Sequence, residues 1–326
     1  MITHCFAPRD LDRLRSHGHE IILTPSDDPG HLAGAWSENA ASLDLALTGW
    51  DSPPITDAML DGAPGLRAIV HAAGSVKPFI PPSIWRRGIR LASCNDALGV
   101  GVAETTLGMI ICGLKGFFPC AEVTRSGGWQ NEFLSLPGFQ PRELYDVTIG
   151  IIGASRVGRH VIRLLKTFEA RVLVSDPHLD QEEAASLGVE CVDLDELVAQ
   201  SDVVSLHAPA LESTRGMLKA KHFRAMKDGA IFINTARGMI VDEEAMTAEL
   251  STGRIWAFLD VTNPEPPPAS HPFRSLRNVI LTPHIAGALT NGSRRMGRSA
   301  VEQILEFARG EVMQGEITMD RLAHLA

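Results

Sequence analysis

The stretch GIIGASRVGR, residues 150 to 159, lies between the aliphatic run DVTIGIIG and a segment in which Val157, Val161, Leu164, Leu165 and Phe168 recur at three- and four-residue intervals. That spacing predicts a helix, and the aliphatic run predicts a strand buried on both faces. A glycine turn joining such a strand to such a helix opens a βαβ unit. Its amides and the positive end of the helix dipole converge on one point, a ready cradle for phosphate. In dinucleotide folds the first glycine permits the tight turn, the second lets backbone approach the pyrophosphate, and the third lets helix and strand pack closely. Here those places fall to Gly153, Ser155 and Gly158. Serine adds only a small side chain, whose hydroxyl can itself hydrogen-bond a phosphate oxygen. A G-x-S-x-G hydrolase elbow with Ser155 as nucleophile is excluded, because Val157 stands at its final glycine.

Five further aliphatic runs follow: ARVLVSD, DVVSLHA, AIFINTA, IWAFLDV and NVILTPH. Alternating with helical segments, they predict a parallel sheet covered on both faces. Asp176 ends the first of them, 18 residues after Gly158. An acid there accepts hydrogen bonds from the adenosine ribose hydroxyls and repels a 2′-phosphate, so the expected cofactor is NAD rather than NADP.

A dinucleotide domain needs little before its first strand, so the roughly 140 preceding residues must fold as something else, and 326 residues favour two domains. LDLALTGW and LRAIVHAAG read as strands of a second α/β domain, with Pro53, Pro54, Pro78, Pro81 and Pro82 marking loops. The carboxyl end has helical spacing through Met296, Ala300, Ile304 and Phe307, offers no strand of its own to pair, and is expected to pack back on the first domain. A formal net charge of −9 argues against nucleic acid or anionic lipid as partner. The most membrane-like stretch, TTLGMIICGLKGFFPC, is interrupted by Lys115 and reads as a buried helix. No secretory signal is apparent, and five scattered cysteines without C-x-x-C spacing fit reduced thiols, so a cytoplasmic address is expected. None of the twelve histidines has a recognisable metal spacing, and no metal is expected.

The segments GVAETTLGMI, GIIGASRVGR, SLHAPALESTRGML, FINTARGMIVDEEAM, LDVTNPEP and LTPHIAG, in this order and spacing, resemble the D-isomer-specific 2-hydroxyacid dehydrogenases. The resemblance covers nearly the whole chain and is strongest from about residue 100 to 290. It implies a Rossmann-type dinucleotide-binding domain, residues 101–289, inserted into a smaller flavodoxin-like α/β substrate domain, residues 1–100 plus 290–326. It also implies a homodimer built largely through the nucleotide domain. The implied activity is NAD-dependent interconversion of a 2-oxo acid and a D-2-hydroxy acid, with glyoxylate or hydroxypyruvate among the candidate substrates.

By that resemblance Arg237 grips the substrate carboxylate, Glu265 is the catalytic acid and His284 the general acid/base. The chemistry asks for such a trio. Reducing a 2-oxo acid needs hydride at C2 and a proton at the developing alkoxide, which histidine can give or take near neutral pH. A planar guanidinium holds a carboxylate bidentately, which lysine does less well. Asp260 corresponds to the residue that binds the nicotinamide carboxamide. The same resemblance gives Arg156, Val157, His207, Ala208, Pro209, Thr214, Thr235, Ala236, His284 and Gly287 to the cofactor site, beside Gly153, Ser155, Gly158 and Asp176. Ala73, Gly74 and Ser75 in HAAGSVK match the loop whose amides also hold the substrate carboxylate. Two positions depart from the family pattern. Leu98 replaces an asparagine four residues before VAE, and Lys77 replaces the acid that commonly follows the carboxylate loop. These changes leave the substrate side chain open and the hydride chemistry intact. Two alternatives stand beside this reading: a short phosphoglycerate dehydrogenase, for which Lys77 is the one candidate phosphate ligand, and an NAD-sensing, corepressor-like binding protein.

Overall fold

The computed structural model describes residues 5–23, 29–135, 141–322 and 325. The chain forms two compact units, one of Met1–Gly99 with Ala288–Ala326, the other of Val100–Gly287.

In the smaller unit β1 (Leu45–Thr48), β2 (Ala68–His71) and β3 (Arg90–Ser93) are parallel, and β11 (Glu316–Ile317) closes the sheet antiparallel to β3. The central strand, β2, is buried along its length. Its Val70, with Ala72, Ala92 and Cys94, packs against Met296, Ala300, Val301, Ile304 and Leu305 of the helix Thr290–Ala308. Its Ile69 packs on the other face with Ile55, Leu60, Ile84 and Ile317. The two-residue side-chain period of a strand thus feeds two cores, and each fully buried Ile or Leu contributes about 1.5–3 kcal/mol. The carboxyl-terminal helix docks on this unit as its spacing predicts, but the segment beyond it does supply a strand. Gln303, buried in that helix, accepts from Gly315 N at 3.0 Å and donates to Ser93 O at 3.2 Å, and the Arg90–Glu316 pair at 2.5 Å fixes the edge. Two residues are too few to leave a periodic signal.

In the larger unit seven strands are all parallel: β4 (Tyr145–Ile152), β5 (Glu169–Ser175), β6 (Glu190–Cys191), β7 (Val203–Leu206), β8 (Ile231–Asn234), β9 (Trp256–Leu259) and β10 (Val279–Leu281), in the order β10-β9-β8-β7-β4-β5-β6. Alternation again separates two cores. Ile149, Ile151, Ile233 and Phe258 face Ile110, Leu114, Val161 and Leu165, while Phe232 and Leu259 face Leu197, Phe223, Met246 and Leu250. The apolar helix Asn95–Lys115 is long enough to cross a membrane; in this fold 44% of its most apolar window is buried, with Ala103, Ile110 and Leu114 in the core. The order of strands reverses between β4 and β7, which makes the carboxyl ends of these two strands the topological switch point where ligands bind in doubly wound sheets. Every predicted strand of this unit is present; β6 is the one that sequence did not announce.

Candidate active site

At the switch point the glycine turn leaves β4 and meets the turn that leaves β7. Gly153 has φ +94°, and a Cβ there would lie 2.6 Å from Ala208 N, so both conformation and space demand glycine. His207 N donates to Ile152 O at 2.7 Å, locking the two turns together. The helix Arg156–Leu165 starts at Ser155, whose φ of −62° is open to any residue, and whose Oγ accepts from Gly158 N. This explains how serine stands at the second glycine place. It caps the helix and keeps its own hydroxyl proton for an anionic oxygen. The first turn of the helix faces the end of β4 with N–H groups that a helix cannot satisfy internally.

Asp176, half-buried just past β5, accepts from Ala154 N at 2.7 Å through one oxygen and from His178 N at 2.8 Å through the other. The carboxylate is thereby held at the rim of the glycine turn, with lone pairs left for ribose hydroxyls. These residues fit a bound NAD: a tight turn that a Cβ would obstruct, a helix amino terminus behind it, and an acid fixed beside it. Pro209 O, Leu211 N and Leu211 O all engage the Thr214 hydroxyl, which staples the loop after β7. Thr235 is buried against Thr106, hydroxyl to hydroxyl at 3.1 Å. His207 is built into the floor of the site: Ser205 Oγ holds its Nε2 at 2.8 Å, and burial pushes its pKa down to about 3, so the ring is neutral at physiological pH.

The chemistry-bearing side chains stand at the carboxyl ends of β8, β9 and β10. His284 follows β10 with φ +55°, a left-handed conformation that a non-glycine residue keeps only where surrounding structure imposes it. The imposing group is Asp260. Its buried carboxylate accepts from Thr282 Oγ1 at 2.5 Å, Ile285 N at 2.9 Å and Ala286 N at 2.8 Å, and its backbone oxygen accepts from His284 N at 3.0 Å. Asp260 therefore clamps the entire histidine loop, a job the sequence did not reveal beside its expected cofactor contact. His284 Nδ1 meets Glu265 Oε1 at 2.5 Å, with the two side chains 45% and 39% exposed, so the pair is open to an incoming reactant.

Arg237 is half-buried on the turn after β8, where its Nη1 donates to Ala236 O at 2.6 Å. Asn234 shapes this turn by accepting from Ala236 N at 3.0 Å and donating to Arg237 O at 3.1 Å. A Cβ on the neighbouring Gly238 would lie 2.2 Å from Thr262 O, so the glycine of TARG brings the arginine turn against the start of the loop that carries Glu265. Glu243 holds that loop by accepting from Asn263 N at 2.8 Å. Thus Glu265 and His284 touch, and the turn of Arg237 abuts the start of the loop that carries Glu265. Asn234, Glu243, Thr282 and Ser205 are supporting residues to which the sequence assigned no role; each is a polar residue inside a recognised motif, which was the available signal. Gly287 is half-buried at the end of this unit.

Ala73, Gly74 and Ser75 belong to the smaller unit, on the loop after β2. Ala73 and Gly74 are buried, yet the amides of all three donate to no acceptor among the described residues, the condition of a loop built to receive an anion. Beneath it His71 is fully buried, its Nδ1 2.9 Å from Thr48 Oγ1, and burial pushes its pKa down to about 4.

The profile of the D-isomer specific 2-hydroxyacid dehydrogenase NAD-binding domain matches residues 107–286. The chain belongs to the D-isomer-specific 2-hydroxyacid dehydrogenase family. It is 32% identical over 270 residues to a D-3-phosphoglycerate dehydrogenase of Methanocaldococcus jannaschii, covering 82% of this chain and only 50% of that one. It is 32% identical over 314 residues to a glyoxylate reductase of Korarchaeum cryptofilum, covering 95% and 93% of the two chains. Among solved structures, a phosphoglycerate oxidoreductase from Rhizobium etli superposes with a TM-score of 0.81 at 27% identity, covering 98% of this chain and 95% of that one. The family's NAD-binding domain thus contains the glycine turn, Asp176, Arg237, Asp260, Glu265 and His284.

Proposed function

We propose that this dehydrogenase interconverts a small 2-oxo acid and the corresponding D-2-hydroxy acid. The observation that carries the reading is the exposed His284–Glu265 pair, fixed by Asp260 at the carboxyl edge of the nucleotide-binding sheet. Bound NADH supplies the hydride that C2 accepts. Glu265 accepts a hydrogen bond from the Nδ1–H of the imidazole, which leaves Nε2 to give a proton to the C2 oxygen in reduction and to take it back in oxidation. Arg237 offers its guanidinium to the substrate carboxylate, the unengaged amides of Ala73, Gly74 and Ser75 are anion donors within their own unit, and Asp260 keeps the histidine loop in register with the cofactor.

A homodimer and a cytoplasmic address complete the proposal. Phe117, Phe118, Trp129, Leu134 and Tyr145 of the larger unit are each 47–73% exposed, large apolar side chains that association with a second copy would cover. The test is oxidation of NADH with a panel of 2-oxo acids, followed by chiral analysis of the product. A D-2-hydroxy acid is the expected product; tight NADH binding without turnover on any acid favours a sensor instead.

A further inference from the structure

The carboxylate loop is one of three segments that leave the same edge of the smaller sheet. β1, β2 and β3 are parallel, so the segments after Thr48, His71 and Ser93 all emerge at the carboxyl edge, where parallel α/β sheets bind ligands. What each contributes is specific. After β1 a tight turn, closed by Ser52 N donating to Gly49 O at 3.1 Å and Gly49 N donating to Ser52 Oγ at 2.9 Å, holds out Trp50. After β2 comes the loop Ala73–Ser75 with its unengaged amides. After β3 the first turn of the helix Asn95–Lys115 carries Leu98, whose amide donates to Cys94 O at 3.0 Å.

The three meet at Gly74. A Cβ on that residue would lie 3.6 Å from Leu98 Cδ2 and 3.8 Å from Trp50 Nε1, so the leucine and the indole flank the loop from one side. Trp50 is 44% exposed, an open aromatic surface beside buried backbone, and its N–H has no acceptor among the described residues. With Nε1 the indole atom nearest Gly74, the ring offers its donor at the carboxylate loop and leaves carbon as its remaining surface. Leu98 adds methyl groups where the family pattern has an amide. Neither the methyl groups of Leu98 nor the indole of Trp50 can accept a hydroxyl proton.

We propose that Trp50 and Leu98 form the side-chain wall of the substrate site and select 2-oxo acids whose C3 substituent is apolar, over those bearing a hydroxyl or phosphate. This rests on the 2-oxo acid reductase reading above and names its substrate class. Each methylene buried on such a wall is worth about fourfold in affinity, and a hydroxyl without a partner is rejected by up to about 10²-fold.

The decisive comparison uses an isosteric pair, 2-oxobutyrate and hydroxypyruvate, in steady-state kinetics with NADH. Glyoxylate, which has no side chain, serves as the reference, and 2-oxoisocaproate and 3-phosphohydroxypyruvate mark the extremes. The expected result is a kcat/KM at least about tenfold higher for 2-oxobutyrate than for hydroxypyruvate, higher again for 2-oxoisocaproate, and lowest for the phosphate ester. Leu98→Asn should narrow the 2-oxobutyrate preference at least about fivefold, mainly through KM, and Trp50→Ala should cost 2-oxoisocaproate more than glyoxylate. Wild-type kinetics that are flat across the pair, or that favour hydroxypyruvate or its phosphate ester, overturn the assignment and leave the reductase reading standing. Absence of turnover with every acid overturns both.

Discussion

Two sheets in this chain carry candidate ligand loops at the carboxyl edges of their parallel strands, and they hold those loops by different means. In the larger unit the loops are tied by acidic and amide side chains: Asp176 to the glycine turn, Asn234 to the arginine turn, Glu243 to the Glu265 loop and Asp260 to the histidine loop. In the smaller unit the loop after β2 is anchored by backbone bonds, such as Ala72 N to Thr48 O at 2.8 Å, and by the neutral buried pair of His71 and Thr48, while its own amides stay unengaged. The difference matches the roles proposed for the two sets of loops. A proton-transfer pair must be fixed to within a fraction of an ångström, which charge-assisted hydrogen bonds can do. A carboxylate cradle needs free donors, so its loop is held from beneath.

Removing one acidic tie should therefore cost turnover as well as stability. In Asp260→Asn an amide group faces Thr282, Ile285 and Ala286, all of which donate to the native carboxylate. The expected loss is about 1–3 kcal/mol of stability and at least about tenfold in kcat, read by thermal unfolding and steady-state rates. A variant with native kcat would show that the histidine loop holds its place without this clamp.

The other side is tested through pH rather than rate. His71 has its pKa pushed down to about 4 by burial, against an ordinary value of 6.5. The unfolded chain takes up a proton below about 6.5 that the folded chain refuses until about 4, so stability is complete above that window and falls as pH drops through it. The share due to His71 is about 2–3 kcal/mol at pH 4.5. His207, also held neutral by burial, acts with the same sign in the larger unit. Urea unfolding at pH 7 and 4.5 should show a smaller acid loss for His71→Asn than for the native chain; an equal loss would place the acid sensitivity elsewhere.

Much of this was legible before any coordinates. Continuous aliphatic runs announced β4, β5 and β7 to β10 because strands buried on both faces admit little else. β6 and β11, of two residues each, carry no periodicity, and β3 mixes Arg90 and Ser93 with two apolar residues. At the site, the motifs named Arg237, Glu265 and His284 as candidates, and the structure joins Glu265 to His284. Their supports were not legible, since nothing in sequence tells that Asp260 takes three donors from residues 282–286 or that the glycine of TARG exists to let one loop lie on another. Trp50 had no motif at all; only the shared edge of three strands brings it beside Gly74.

The most direct test of the central claim is His284→Asn, assayed for NADH binding and for turnover on the best 2-oxo acid. With His284 as the proton donor, NADH affinity stays within about threefold while kcat falls by at least about 10²-fold. Turnover within threefold of the native rate would contradict the claim.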